Sequence, residues 1–179
     1  MSLGVYCLVG FRRTSERSAE GAIKYFLLGS FAAAILLFGC ATLYGATGHT
    51  DLAGIGAPIS GGSAHPVLVS FSLLMLIVGL AFKVSAVPFH QWTPDAYEGA
   101  ATPATTFMAV AVKSAAFAVL VRVLVVGFGD KVSMDPSSGW PPLLAGIAAI
   151  TMVYGNVAAV AQTSVKRMLA YSSIAHAGY

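Results

Sequence analysis

Long apolar runs separated by short polar stretches organise this chain. The first run, 1–11, is too short to cross a bilayer, and it lacks the basic start and small-residue cleavage site of a signal peptide, so it reads as the end of a helix. A polar stretch containing Arg12, Arg13, Glu16 and Arg17 follows, and complete runs then cover about 21–44, 66–89, 103–126 and 140–161. A last run, 164–179, starts where Thr163 or Ser164 could cap a helix carrying Lys166 and Arg167 in its first turns. Each complete run is close to the roughly 20 residues that cross a membrane as a helix, and none alternates with the period of a strand. Pro66 suits a helix start, while Pro88 predicts a kink or break between Lys83 and Pro88. The stretch 45–64, rich in Gly, Ser and Pro, reads as a loop with little regular structure, and 127–139 reads as a short polar loop. The expected fold is therefore all-α, a polytopic transmembrane helix bundle forming one domain over 1–179.

Composition sharpens this picture. Hydrophobic residues make up 57% of the chain and charged ones only 9%, far below the roughly 25% of soluble domains. The net charge of +3 points to topology and not to nucleic acid, because the basic residues gather at span ends. If spans alternate, the stretches holding Arg12, Arg13 and Arg17, then His90 to Glu98, then Lys166 and Arg167 share one side, and the positive-inside rule makes it cytoplasmic. The opposite loops hold only Asp51, Asp130, Lys131 and Asp135. Gly29, Ser30, Ala32, Ala33 and Ala34 permit close helix contact, so a packed bundle is expected. Cys7 and Cys40 have no metal-ligand spacing and are expected to serve as packing residues.

Two charges change the reading from structure to chemistry. Lys83 and Lys113 lie inside apolar runs, where an amine costs at least about 2.5–3.5 kcal/mol on insertion scales and is rarely kept without a task. Lys83 lies about one turn before the break, and a broken helix frees carbonyls and admits water, as a proton relay requires. Its competing reading is a lysine that snorkels to the surface. Lys113 sits roughly 14 Å from either end of its run, beyond easy snorkelling. Lys24, in the first turns of its run, serves equally as an interfacial anchor or a relay, and Glu20 is placed to pair with it. His90, Asp95 and Glu98 could form a proton-accepting mouth or simply a solvated loop. His176, Ser172 and Ser173 share a helical face and could hydrogen-bond water across helices, although a structural polar contact is the better reading. His49, His65, His90 and His176 have no cofactor-clamping spacing, so no metal or haem site is expected.

The stretches GLAFKVSAVPFHQWTPDAYE (79–98) and PATTFMAVAVKSAAFAVLVR (103–122) closely resemble the subunit N family of the proton-pumping NADH-quinone oxidoreductase, respiratory complex I. So do 15–44 and the tail GNVAAVAQTSVKRMLAYSSIAHAGY (155–179), and the resemblance covers essentially the whole chain. It implies a larger antiporter-like bundle of two inverted repeats, each with a broken helix, of which this chain is a fragment truncated at both ends. Lys83 would be the broken-helix lysine of the proton site, Lys113 the next relay toward the membrane-central polar axis, and Lys24 a further lysine implicated on the preceding helix. The glutamate that pairs with the broken-helix lysine in the family would fall just upstream of Met1, so the fragment alone is not expected to pump.

The resemblance implies a translocase subunit in a bacterial inner membrane, surrounded by lipid and by the other membrane subunits of complex I. Quinone reduction elsewhere would drive protonation changes at Lys83 and Lys113. This chain would bind no cofactor, since NADH, FMN, iron-sulfur clusters and quinone belong to other subunits, and no nucleic acid. A subunit of an Mrp-type cation/proton antiporter shares the lysine and broken-helix pattern and stands as the alternative. A membrane scaffold with no ion path is a third reading.

Overall fold

Helix α1 (Ser2–Val9) runs into a polar hinge, and Ser15 then caps α2 (Glu16–Thr47) by accepting from the Ser18 amide. The structure is a computed structural model and describes residues 2–130, 133–136 and 139–179; Met1 and Lys131, named above, lie outside them. With 32 residues, α2 reaches beyond the apolar run on both sides and ends at Gly48, whose φ of 74° lies in the left-handed region that suits glycine.

Short α3 (Leu52–Ser60) occupies the stretch expected to be a loop. Asp51 starts it by accepting from the Gly54 amide at 2.7 Å. Packing then keeps it helical, because Ile55 is buried in a cluster with Leu43, Val69, Leu76 and Phe128. The Gly and Pro content misled the expectation by weighing local propensity above this long-range burial.

Helix α4 (Pro66–Val84) carries Pro66 in its first turn, ends at Ser85 and is the most enclosed of the long helices. The chain then crosses a turn to α5 (Trp92–Gly99). Next comes a continuous helix, Thr102–Gly127, built of α6 (Thr102–Phe107), a π-helical turn (Met108–Val112), α7 (Lys113–Arg122) and a second π-helical turn (Val123–Gly127). Helices α8 (Trp140–Val160) and α9 (Val165–Gly178) pack against each other and complete the described structure. Among the described residues every regular element is helical, and the helices long and apolar enough to cross a membrane are Glu16–Thr47, Pro66–Val84, Thr102–Gly127 and Trp140–Val160.

Phe31, Leu37, Val153 and Val160 point outward from these helices, an apolar exterior that suits hydrocarbon. Cys7 and Cys40 are exposed, contrary to the packing role expected of them.

The α2–α4 contact is close enough to require a missing side chain. A Cβ on Gly79 would lie 2.6 Å from Cβ of Leu36, so neither helix can give way without a backbone shift. Gly79→Ala is expected to destabilise the bundle by about 1–3 kcal/mol, the usual cost of overpacking. A lower thermal midpoint of the detergent-solubilised protein would register it, and an unchanged midpoint would mean that the two helices are not in firm contact.

Candidate functional site: buried lysines and an ion-pair hub

Lys113 is 7% exposed, on the continuous helix immediately after its first π-helical turn. Its Nζ donates to both the carbonyl and the hydroxyl oxygen of Ser173 on α9, each at 2.8 Å, and lies 5.9 Å from the centre of the Tyr97 ring. Among the described residues it has no carboxylate at ion-pair distance. π-Helical turns recur at functional sites because the extra residue re-aims the side chains that follow. Here the re-aimed side chain is the amine.

Lys83 stands in the last turn of α4, half-buried, with Nζ donating to Ser2 Oγ on α1 at 2.8 Å. Its amine lies about 6 Å from the Tyr6 and Phe82 rings. Tyr25 stacks on Trp92 at 4.2 Å, and Tyr6 meets Tyr25 edge-on at 4.6 Å, so an aromatic cluster closes this region against water. An apolar cavity of about 190 Å³ is lined by Ser2, Tyr25 and Lys83 together with Val112, Ala116 and Val119 of the continuous helix; Lys113 is not part of its lining. Like Lys113, Lys83 has no carboxylate partner among the described residues. An amine held only by neutral groups in apolar surroundings can exist with or without its proton, whereas a salt-bridged one is committed to charge.

The helix breaks at Ser85, within the expected stretch from Lys83 to Pro88. Ser85 adopts φ 65° and ψ 35°, and the Val87–Pro88 peptide is cis.

Counter-charges gather elsewhere, around α5. Asp95 accepts from Lys24 of α2 and from Arg167 of α9, both at 2.7 Å. Arg167 also reaches Glu98 at 3.1 Å, and Arg17 lies 3.5 Å from Glu98. Arg17, Asp95, Glu98 and Arg167 line a polar cleft of about 560 Å³ together with Glu20, Thr163 and Ser164. Burial of Asp95 disfavours its charge, but the hydrogen bonds from Lys24 and Arg167 outweigh that and hold its carboxyl below the usual carboxylate range. The three charged stretches that hydropathy assigned to one face of the membrane thus meet in one cluster.

Residues 1–179, the whole chain, match the family described as "NADH:quinone oxidoreductase/Mrp antiporter, TM". The chain belongs to this family. It is 67% identical to NADH-quinone oxidoreductase subunit N 1 of Sorangium cellulosum, over all of this chain and 36% of that protein. Its fold matches a chain of respiratory complex I from Thermus thermophilus solved with bound aureothin, at 47% identity and a TM-score of 0.82 over 99% of this chain and 36% of that one. A chain of the Mrp complex from Dietzia sp. matches at 26% identity and a TM-score of 0.83, over 99% of this chain and 32% of that one. The chain thus spans about a third of the length of the subunit N relatives it matches. As a member of this family with four apolar helices of spanning length among the described residues, it is a multi-pass integral membrane protein.

Within this family member the sequence-derived candidates separate into distinct places. Lys24 belongs to the ion cluster, where it pairs with Asp95 and also with Glu20, one helical turn away. His90 does not join Asp95 and Glu98: it is buried, packs edge-on against Tyr154 at 4.6 Å, and its Nδ1 has no well-formed hydrogen bond. Burial lowers its affinity for a proton, with the Pro88 carbonyl pulling weakly the other way, so it is neutral around pH 7. His176 is exposed with Nδ1 2.8 Å from the Ser172 carbonyl, while Ser173, read from sequence chiefly as a structural contact, is the acceptor for Lys113. Sequence reasoning missed Arg167 as the partner of Asp95 and Ser173 as the partner of Lys113, because each pair is far apart along the chain. The span-end position of Arg167 and the shared polar face of Ser172 and Ser173 were the available signals.

Proposed function

We propose that this chain is part of the membrane-arm subunit N of an NADH-quinone oxidoreductase in a bacterial inner membrane, and that it carries protons through Lys83 and Lys113. The observation that carries the reading is Lys113: an enclosed amine, midway along a membrane helix, held by a hydroxyl and a carbonyl in place of a counter-ion. Such a group is costly at membrane depth and is rarely kept without a task. Lys83 is held in the same manner by Ser2, on the helix to which the family's pairing glutamate would belong. Electron transfer from NADH to quinone in other subunits would alternate the charge of these amines, and the ion cluster around Asp95 would form the polar mouth from which they are supplied.

The antiporter alternative rests on the same buried lysines, but the greater identity to the complex I chain, 47% against 26% for the Mrp chain, favours the redox assembly. The test places Lys83→Ala and Lys113→Ala in the full-length subunit within the assembled complex and measures the proton-to-electron ratio in vesicles. Pumping is expected to fall in both. Wild-type pumping in both, with normal assembly, would leave a non-conducting scaffold as the remaining reading.

A further inference from the structure

We propose that Thr151 on α8 and Thr93 on α5 are positioning residues for Lys83, holding the unwound segment that follows it so that the amine stays aimed at α1. The inference rests on the reading of Lys83 as a proton carrier. Because α4 stops at Val84, the Val87 amide has no helical carbonyl to bond, and Pro88 offers no amide at all. At membrane depth such a group must find a partner within the protein. Thr151, fully buried, supplies it: its Oγ1 accepts from the Val87 N–H at 3.0 Å and donates to the Ile147 carbonyl at 2.6 Å, so the hydroxyl acts as acceptor and donor at once.

Thr93 supplies the second tie. Its Oγ1 donates to Ser85 Oγ at 2.8 Å, with both residues fully buried. Ser85 is the residue with φ of 65°, a conformation that a residue with a side chain keeps only where its surroundings over-determine it. The indole of Trp92 adds a third tie, donating to the Phe82 carbonyl at 3.1 Å. Residues 82, 85 and 87 are thereby fixed from α5 and α8, and Lys83 lies between the first two. Without these ties the last turn of α4, which carries Lys83, would end free and could fray, loosening the contact of the amine with Ser2. Holding the break therefore steadies the turn that aims the amine.

The experiment uses the whole complex in membrane vesicles, comparing Thr151→Val, Thr151→Ser, Thr93→Val and Lys83→Ala with wild type. The readouts are subunit content, the proton-to-electron ratio across pH, and amide hydrogen exchange of segment 85–91. Thr151→Val is expected to speed exchange in that segment, to lower pumping about fivefold, the scale of one lost hydrogen bond, and to displace the pH profile of pumping. Thr151→Ser should restore all three, and Thr93→Val should displace the profile in the same direction. If Lys83→Ala stops pumping while Thr151→Val and Thr93→Val keep the wild-type ratio and profile, the positioning role is overturned and the function of Lys83 stands. If Lys83→Ala pumps normally, the functional reading itself falls, and Thr151 is only a staple. Failure of Thr151→Val to assemble, with Thr93→Val neutral, would also reduce both residues to structural ties; a displaced profile in Thr93→Val would uphold the proposal even then.

Discussion

Lys113→Ala, placed in the full-length subunit, is expected to leave the complex assembled while slowing the proton step it serves by at least about tenfold, toward the low end of what a transfer group contributes. Structure and function should separate here because of how the amine is held. Lys113 is 7% exposed and, among the described residues, bonded only to Ser173, so its removal deletes a costly buried polar group and leaves one carbonyl and one hydroxyl to re-pair within α9. Lys113→Arg decides between two roles. Arginine keeps a positive charge but does not release its proton in proteins, so a proton carrier should be as impaired by Arg as by Ala, whereas a fixed charge that only shapes the local field should survive the change. The proton-to-electron ratio in vesicles, normalised to subunit content, reads both variants. Wild-type pumping with Lys113→Arg would end the relay role of this residue.

The parts of this site that sequence made legible are those encoded locally. A lysine within a run of apolar residues announces its cost wherever the helix ends up, so Lys83 and Lys113 were visible at once. The long spans were visible for the same reason, since hydropathy sums over neighbours in sequence. What depends on contact between distant segments was not visible. The break of α4 before Pro88 was legible from the proline, but the ties that hold it, Thr93 to Ser85 and Thr151 to Val87, 64 residues away along the chain, were not. Helix α3 was hidden by its own Gly and Pro residues and is kept by the burial of Ile55. Asp95 was read beside His90 and Glu98, its neighbours in sequence, but its partners are Lys24 and Arg167, which come from α2 and α9. The same geometry takes His90 out of the polar cleft and puts it against Tyr154.

Arg167→Ala is the substitution expected to disturb the ion cluster most. Arg167 bridges Asp95 and Glu98, whose side chains are only 23% and 15% exposed, so its loss leaves two carboxylates facing each other one helical turn apart on α5. Lys24 would still reach Asp95, but Glu98 would keep only the longer contact from the exposed Arg17. Breaking a fully buried pair costs about 3–5 kcal/mol; solvent reaches this cleft, so about 1–2 kcal/mol is expected after screening. Arg167→Lys should recover part of it, since a single ammonium cannot span both carboxylates as the guanidinium does. The pH dependence gives the sharper check. The Asp95 carboxyl is held below the usual range, so the stabilisation from its ionised form is present above the unfolded value near pH 3.9 and is lost as pH falls through the lower folded value. The thermal midpoint of Arg167→Ala in detergent should therefore lie below wild type at pH 7 and converge with it as the medium is acidified below about pH 4. A constant gap across that window would mean that Arg167 stabilises the α5–α9 contact by packing of its stem and not by its charge.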